Sequence, residues 1–222
     1  PSVKRRSSSL TWPEPAADPL QWGPSLRLVL ASSSPQRREI LSAAGIPFEV
    51  APTGADEVVE GDPAWVAIEN ARRKARAGRL RHPAPETVVL AADTVVALDG
   101  KILDKPTDAG RARDSVGALA GRTHEVFGGI VVAGPGDEWR EASTASRVTF
   151  RALAPREVDE YVATGEWDGR AGGYAIQLSG SGLVDSLEGD RENVIGLSMA
   201  ALAGLVQGLV PSGGRAGDRY NP

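Results

Sequence analysis

The sequence predicts an α/β fold, an elongated mixed β-sheet flanked by helices. Three observations carry that prediction. Short apolar runs alternate with helix-like segments along the chain, the order expected when helices cover a sheet. Helix starts are written as a capping residue followed by proline, at Ser34-Pro35 and again at Asp62-Pro63. With 222 residues and a hydrophobic fraction of 41%, the chain has enough apolar material for one sizeable core.

Residues 1–25 are rich in Pro, Ser and charge and show no periodicity before Leu26. They read as a mobile extension, although Trp12 and Trp22 could dock on the domain. The folded domain is expected over 26–210, followed by a flexible tail at 211–222 rich in Gly and charge. Leu26–Ala31 reads as a short buried strand, and the helix capped by Ser34 follows it. The helix opened by Asp62-Pro63 is expected to run to about Ala77, with Ala64, Ala67, Ile68, Ala71 and Ala75 on one stripe. Thr87–Leu98 is a long apolar strand. Asp99-Gly100 supplies the tight turn that returns Lys101–Leu103 as its hairpin partner. A helix over Asp108–Leu119, strands at Glu125–Val132 and Ser146–Phe150, and a helix from Pro155 to Ala163 come next. A Gly-rich segment covers Gly165–Gly182. The nearly all-apolar helix Leu197–Leu209 is expected to lie on the sheet.

Composition excludes several functions. A formal net charge of -4 argues against a general nucleic-acid binder, while leaving room for a small anionic substrate met by a few local cations. The chain contains no cysteine, so disulfides and thiolate metal sites are ruled out. His82 and His124 are the only imidazoles and stand far apart, so a metal here should be a hard one on carboxylates, Mg²⁺ by default. No apolar run approaches the roughly 18 residues of a membrane span, and no secretory-type stretch opens the chain. No membrane association and a cytoplasmic location are expected.

Four segments carry chemistry. Ser32-Ser33-Ser34-Pro35-Gln36-Arg37-Arg38 joins a buried strand to a helix start, where free N–H groups, hydroxyls and an arginine fork suit an anion. The same segment reads equally as a capped helix with surface arginines. Asp93 interrupts an apolar strand, and a carboxylate there needs a cation or a donor to offset desolvation. That makes it a metal ligand or general base, or an Asp bonded to a loop at the sheet's end; Lys105 lies just beyond the hairpin. Lys74 follows Ala67 and Ala71 at helical spacing and borders the buried stripe, while Asp56-Glu57 is either a solvated pair or a Mg²⁺ ligand. In Gly172-Gly173-Tyr174-Ala175-Ile176-Gln177, paired glycines permit close backbone approach and Gln177 could read a base edge. His124 has no acidic or hydroxyl partner nearby in sequence and reads as structural.

Together these segments resemble the Maf family of nucleoside triphosphate pyrophosphatases. The resemblance rests on LASSSPQRREIL at 30–41, ENARRKA at 69–75, AADTVVALDGKILDKPTDA at 91–109, LAGRTHEV at 119–126, YVATGEWDGRAGGYAIQ at 161–177 and GDRENVIGL at 189–197. It implies an inosine triphosphatase-like fold with a cleft between two lobes, and metal-dependent cleavage between the α and β phosphates of a nucleoside triphosphate. Mg²⁺ is the expected metal, with Mn²⁺ the alternative. Matched by motif, Ser32 and Arg37 fall on the phosphate-binding serine and arginine. Glu57, Lys74, Asp93 and Lys105 fall on the acidic and basic cleft residues, with Asp93 as proton acceptor and Glu57 and Asp93 as metal ligands. Gln36, Thr94 and Gln177 fall on specificity positions. Thr94 and Gln177 match the dTTP/UTP branch, and Gln36 departs from its arginine. Arg170 stands where a lysine is common, and Leu178-Ser179 replaces a glycine-containing turn; both changes are expected to reshape the base pocket. The resemblance also implies a homodimer as one option. Two other readings stand beside it: a non-catalytic regulator of septum formation, and a purine-directed house-cleaning pyrophosphatase. The latter typically opens with an Asn/Lys phosphate motif that residues 32–37 lack.

Overall fold

The computed structural model describes residues 26–134, 138–207 and 209. The expectations for residues 1–25 and 211–222 lie outside the described residues. The elements run β1 (Arg27–Leu30), α1 (Pro35–Ala43), β2 (Glu49–Val50), α2 (Pro63–Arg81), β3 (Thr87–Leu98), β4 (Lys101–Leu103), α3 (Ala109–Leu119), β5 (Thr123–Ala133) and β6 (Trp139–Phe150). Then follow α4 (Pro155–Val162), two 3₁₀ turns (Ala171–Gly173 and Ser179–Leu183), β7 (Val184–Glu188), α5 (Arg191–Ile195) and α6 (Met199–Val206). One mixed sheet has the order β2-β1-β3-β5-β6-β7, with β4 added to β3. β1 is parallel to both β2 and β3, and every other pairing is antiparallel.

β3 is the spine, and its sequence explains the layering. Strand side chains alternate between faces. Val88, Leu90 and Ala92 join a cluster with Leu41 of α1 and Leu202 of α6. Further along the same face, Val96 and Leu98 join a second cluster with α3, α4 and the residues around the first 3₁₀ turn. Thr94 lies on this face between the two clusters, so the helices divide into two lobes with a gap at Thr94. The other face carries Val89, Ala91 and Val95, and α2 covers it through Ala67, Ala71 and Ala75. Asp93 belongs to this α2 face.

The edges of β3 open the same place. β1 pairs with Thr87–Leu90 and β4 with Val96–Leu98. No described strand pairs with β3 on that edge between Leu90 and Val96. Asp93 and Thr94 therefore lie at a break in the sheet.

The elements depart from expectation in understandable ways. α2 continues past Ala77 to Arg81 because Gly78 does not end it; a Cβ there would lie 2.8 Å from Val89 Cγ1, so helix and strand are in contact. The strand expected at Ser146–Phe150 is the end of a strand more than twice as long, since the first part of β6 is polar and pairs only with β5. The final helix is shorter than Leu197–Leu209, because Ser198 caps it and it ends at Val206. β2, β7 and α5 are too short to leave a periodic signal. The Asp99-Gly100 hairpin forms as expected, with φ of 50° and 75°. Among the described residues, no helix is long and apolar enough to cross a membrane.

Candidate active site

The gap in the sheet opens into a cleft of roughly 650 Å³, part of it open solvent. Its walls come from α1 (Gln36, Arg37), β3 (Asp93, Thr94), the segment after β4 (Lys105), the loop around the first 3₁₀ turn (Arg170, Tyr174, Gln177) and the end of α5 (Gly196). Segments far apart in sequence thus converge.

At the α1 end, Ser34 caps the helix and also donates its hydroxyl to Gln36 Oε1 at 2.9 Å. Ser32 is buried; its Oγ accepts from the Ser34 backbone N–H at 3.2 Å and from Arg37 Nη1 at 3.0 Å. Arg37 is buried as well. Its Nε donates to the Gly196 carbonyl at 2.9 Å and its Nη2 to Thr94 Oγ1 at 3.1 Å. Three of the five guanidinium N–H groups are therefore used within the protein, leaving two. Burial lowers the pKa of Arg37, opposed by Asp93 and then Glu57, and the group stays charged. Arg37 thus ties α1, β3 and α5 together while still facing the cleft.

Asp93 is 6% exposed, and each of its carboxylate oxygens accepts one hydrogen bond, which leaves each a lone pair. Lys74 Nζ donates to its Oδ1 at 2.6 Å, and Asn70 Nδ2 donates to its Oδ2 at 3.1 Å. Lys74 also pairs with Glu57 Oε1 at 2.6 Å. The i, i+4 spacing of Asn70 and Lys74 puts both over Asp93 on one face of α2. Glu57 is held because the next residue, Val58, is clasped by Asn70: the Val58 N–H donates to Oδ1 at 2.7 Å, and Nδ2 donates to the Val58 carbonyl at 3.0 Å.

Two glycines of β5 make this arrangement possible. Gly129 pairs with Asp93 across the sheet, and a Cβ on it would lie 2.6 Å from Ile68 Cα, so only glycine lets α2 settle there. Gly128 pairs with Thr94; a Cβ on it would collide with Asn193 Oδ1 and Thr144 Oγ1 on the opposite face. Asn193 is buried, bonded to the Val126 carbonyl at 2.9 Å and to Ser146 Oγ at 3.0 Å. It anchors α5 and so presents the Gly196 carbonyl to Arg37.

On the other lobe, Gly172 and Gly173 both have positive φ. A Cβ on either would press on Val96 or Pro106, at 2.9 and 3.0 Å. Ser115 Oγ donates to the Gly172 carbonyl at 2.9 Å and Tyr161 Oη accepts from the Ala175 N–H at 2.9 Å, fixing the loop. His124 is buried in edge contact with Phe150 and Tyr174, and its Nε2 is 2.8 Å from Tyr174 Oη. Its hydroxyl partner is thus 50 residues away in sequence. Burial pushes the His124 pKa down to about 4 and the Tyr161 pKa up to about 12. Tyr174 is also pushed up by burial.

Sequence reasoning missed Asn70, Asn193 and Gly196. A polar Asn70 interrupting the small-residue stripe of α2, one helical turn before Lys74, was the available signal for the first. Thr94, expected to bear on base choice, has its hydroxyl occupied by Arg37 and the Gly196 carbonyl, the latter at 3.4 Å. Gln36 and Gln177 both line the cleft; Gln36 turns its carbonyl to Ser34, and Gln177 makes no protein hydrogen bond among the described residues.

The family described as Maf-like protein matches residues 27–209 of this chain. A dTTP/UTP pyrophosphatase of Deinococcus radiodurans is 43% identical over 183 residues, covering 82% of this chain and 92% of that protein. One of Pyrococcus furiosus is 41% identical over 182 residues, covering 82% and 94%. Among solved structures, a HAM1 protein from Coxiella burnetii aligns with a TM-score of 0.40 at 18% identity, covering 56% of this chain and 73% of that one.

Proposed function

The chain belongs to the Maf-like protein family, and on that premise we propose that it hydrolyses pyrimidine nucleoside triphosphates, dTTP and UTP foremost, to the monophosphate and pyrophosphate. The observation that carries the reading is the buried Asp93 carboxylate, held by Lys74 and Asn70 at the floor of a cleft that Arg37 and Lys105 also line.

In this reading water attacks the α-phosphorus. An O–Pα bond forms, the bond from Pα to the bridging oxygen breaks, and pyrophosphate leaves with that electron pair. Asp93 orients the water and accepts its proton, a contribution of about 10²–10⁴ in rate. Asn70 keeps one carboxylate oxygen directed by bonding the other. Arg37, Lys105 and Lys74 offset the charge of the phosphate chain and of the departing pyrophosphate. The two N–H groups that Arg37 does not spend on the protein are the ones available to phosphate oxygens.

The residues present suit a hard divalent cation, with Mg²⁺ the first choice and Mn²⁺ the second. Asp93 Oδ1 and Glu57 Oε1 both lie 2.6 Å from one Lys74 ammonium, so two carboxylate oxygens already gather about a single positive charge. Among the described residues no group of three or more His, Cys, Asp or Glu side chains gathers to hold an ion. Asp93 and Glu57 would hold it, and substrate phosphates and water would complete its shell. Such an ion supplies Lewis-acid polarisation of the phosphate.

Base choice rests on two amides. Gln36 has its carbonyl turned to Ser34, which leaves its NH₂ to donate to a pyrimidine carbonyl, and Gln177 can both donate and accept. The names of the relatives support this pyrimidine preference. The test is pyrophosphate release from a panel of ribo- and deoxynucleoside triphosphates with Mg²⁺, for the wild type and Asp93→Asn. Expected are turnover led by dTTP and UTP, and a loss of at least 10²-fold in the variant with its fold intact. Absence of turnover on the whole panel would refute the activity, and near-normal rates in the variant would refute Asp93 as base.

A further inference from the structure

The cations in and beside the cleft are not equally free, and Lys105, which also has no protein partner among the described residues, is exposed to water. Arg37 has three donors on the protein, and Lys74 is shared between two carboxylates. Arg170 differs from both. It lines the cleft from the opposite lobe, its Nε is sealed from solvent, and its guanidinium makes no hydrogen bond or ion pair among the described residues.

A guanidinium donor withdrawn from water without an acceptor is unfavourable, the more so because it is charged. The backbone around it is nevertheless held. The Arg170 N–H donates to the Trp167 carbonyl at 3.2 Å, and its carbonyl accepts from the Gly173 N–H at 3.1 Å. Trp167 is itself tied by its indole N–H to the Val162 carbonyl at 2.9 Å. The side chain therefore springs from a fixed backbone, is only partly buried and lines the cleft, while its Nε is held away from water without an acceptor. What it lacks is an anion of matching geometry. Resting on the pyrophosphatase reading above, we propose that Arg170 binds the phosphate chain of the substrate from the second lobe, opposite Arg37. The base-pocket role expected of this position is thereby replaced. A phosphate gripped by arginines of both lobes draws the lobes together, and the fork binds phosphate oxygens bidentately whichever base is attached.

The experiment uses the full chain with Arg170→Met and Arg170→Lys. Binding of inorganic pyrophosphate, which carries neither base nor sugar, is measured calorimetrically with Mg²⁺ present. KM and kcat are measured for dTTP and UTP alongside. Expected are a loss of pyrophosphate affinity on the order of tenfold or more in Arg170→Met, a rise in KM by the same factor for both nucleotides, partial recovery in Arg170→Lys, and an unchanged or higher Tm. Unchanged pyrophosphate affinity in Arg170→Met, or a KM change restricted to one base, would overturn the assignment while leaving wild-type turnover as separate support for the activity. If the wild type released no pyrophosphate from any nucleotide yet bound pyrophosphate through Arg170, the reaction would fall and the anion site would stand.

Discussion

Replacing Asn70 with alanine should disturb both stability and catalysis, because one buried amide serves both. At 3% exposure it makes three hydrogen bonds, two to the Val58 backbone and one to the Asp93 carboxylate. A neutral bond contributes about 1 kcal/mol and one to a charged group about 1.5–3 kcal/mol. The loss should therefore total about 3.5–5 kcal/mol. In a domain of this size about 2–4 °C of Tm goes with each kcal/mol, so thermal unfolding followed by circular dichroism should drop by roughly 10 °C. With Val58 released, Glu57 loses its hold beside Lys74, and Asp93 loses the donor that orients it. The kcat should fall on the order of tenfold or more even at temperatures where the variant is fully folded. Asn70→Asp sharpens the test. It sets a like charge about 3 Å from the Asp93 carboxylate in place of a donor, so kcat should fall at least as far as in Asn70→Ala. A Tm within about 2 °C of wild type and an unchanged kcat in Asn70→Ala would refute this account of the clasp.

Gly129→Ala should fail more severely, since its Cβ meets backbone of α2 that cannot rotate away; we expect a Tm fall exceeding that of Asn70→Ala, and soluble protein of wild-type Tm would contradict it. His124 gives a pH signature. Its folded pKa of about 4 lies below the ordinary value of 6.5, so the unfolded chain binds the proton more readily. Stability should therefore be whole above pH 6.5 and decline by about 3 kcal/mol as pH falls towards 4. Urea titrations of wild type and His124→Gln across that range should diverge with falling pH, the wild type losing more; parallel curves would count against a buried neutral imidazole.

How far the sequence reaches is clear from β3. The run of Val, Leu and Ala marked a buried strand, and the polar Asp93-Thr94 within it marked the place where chemistry interrupts packing. Capping serine and aspartate before proline fixed where α1 and α2 begin, since those signals act within one turn of chain. Residues within a few positions of each other could thus be assigned correctly: Asp99-Gly100 as a hairpin turn, Lys74 at the edge of its stripe, Gly172-Gly173 as a close approach.

Tertiary structure decided everything that depends on the opposite face or on distant chain. Asp93 and Thr94 are neighbours in sequence, yet alternation sends one to α2 and the other towards α1 and α5, so they serve different partners. In sequence Arg37 reads either as an anion clamp or as a surface arginine of a capped helix, and the fold buries it, because Ser32, Thr94 and the carbonyl of Gly196 supply acceptors from three segments. Arg170 looked like a variation in the base pocket. Its unpartnered Nε became visible only once the folded chain showed which acceptors lie within reach and which do not. Local propensity is a property of a few successive residues, whereas the satisfaction of a buried charge is settled by whatever the fold brings beside it.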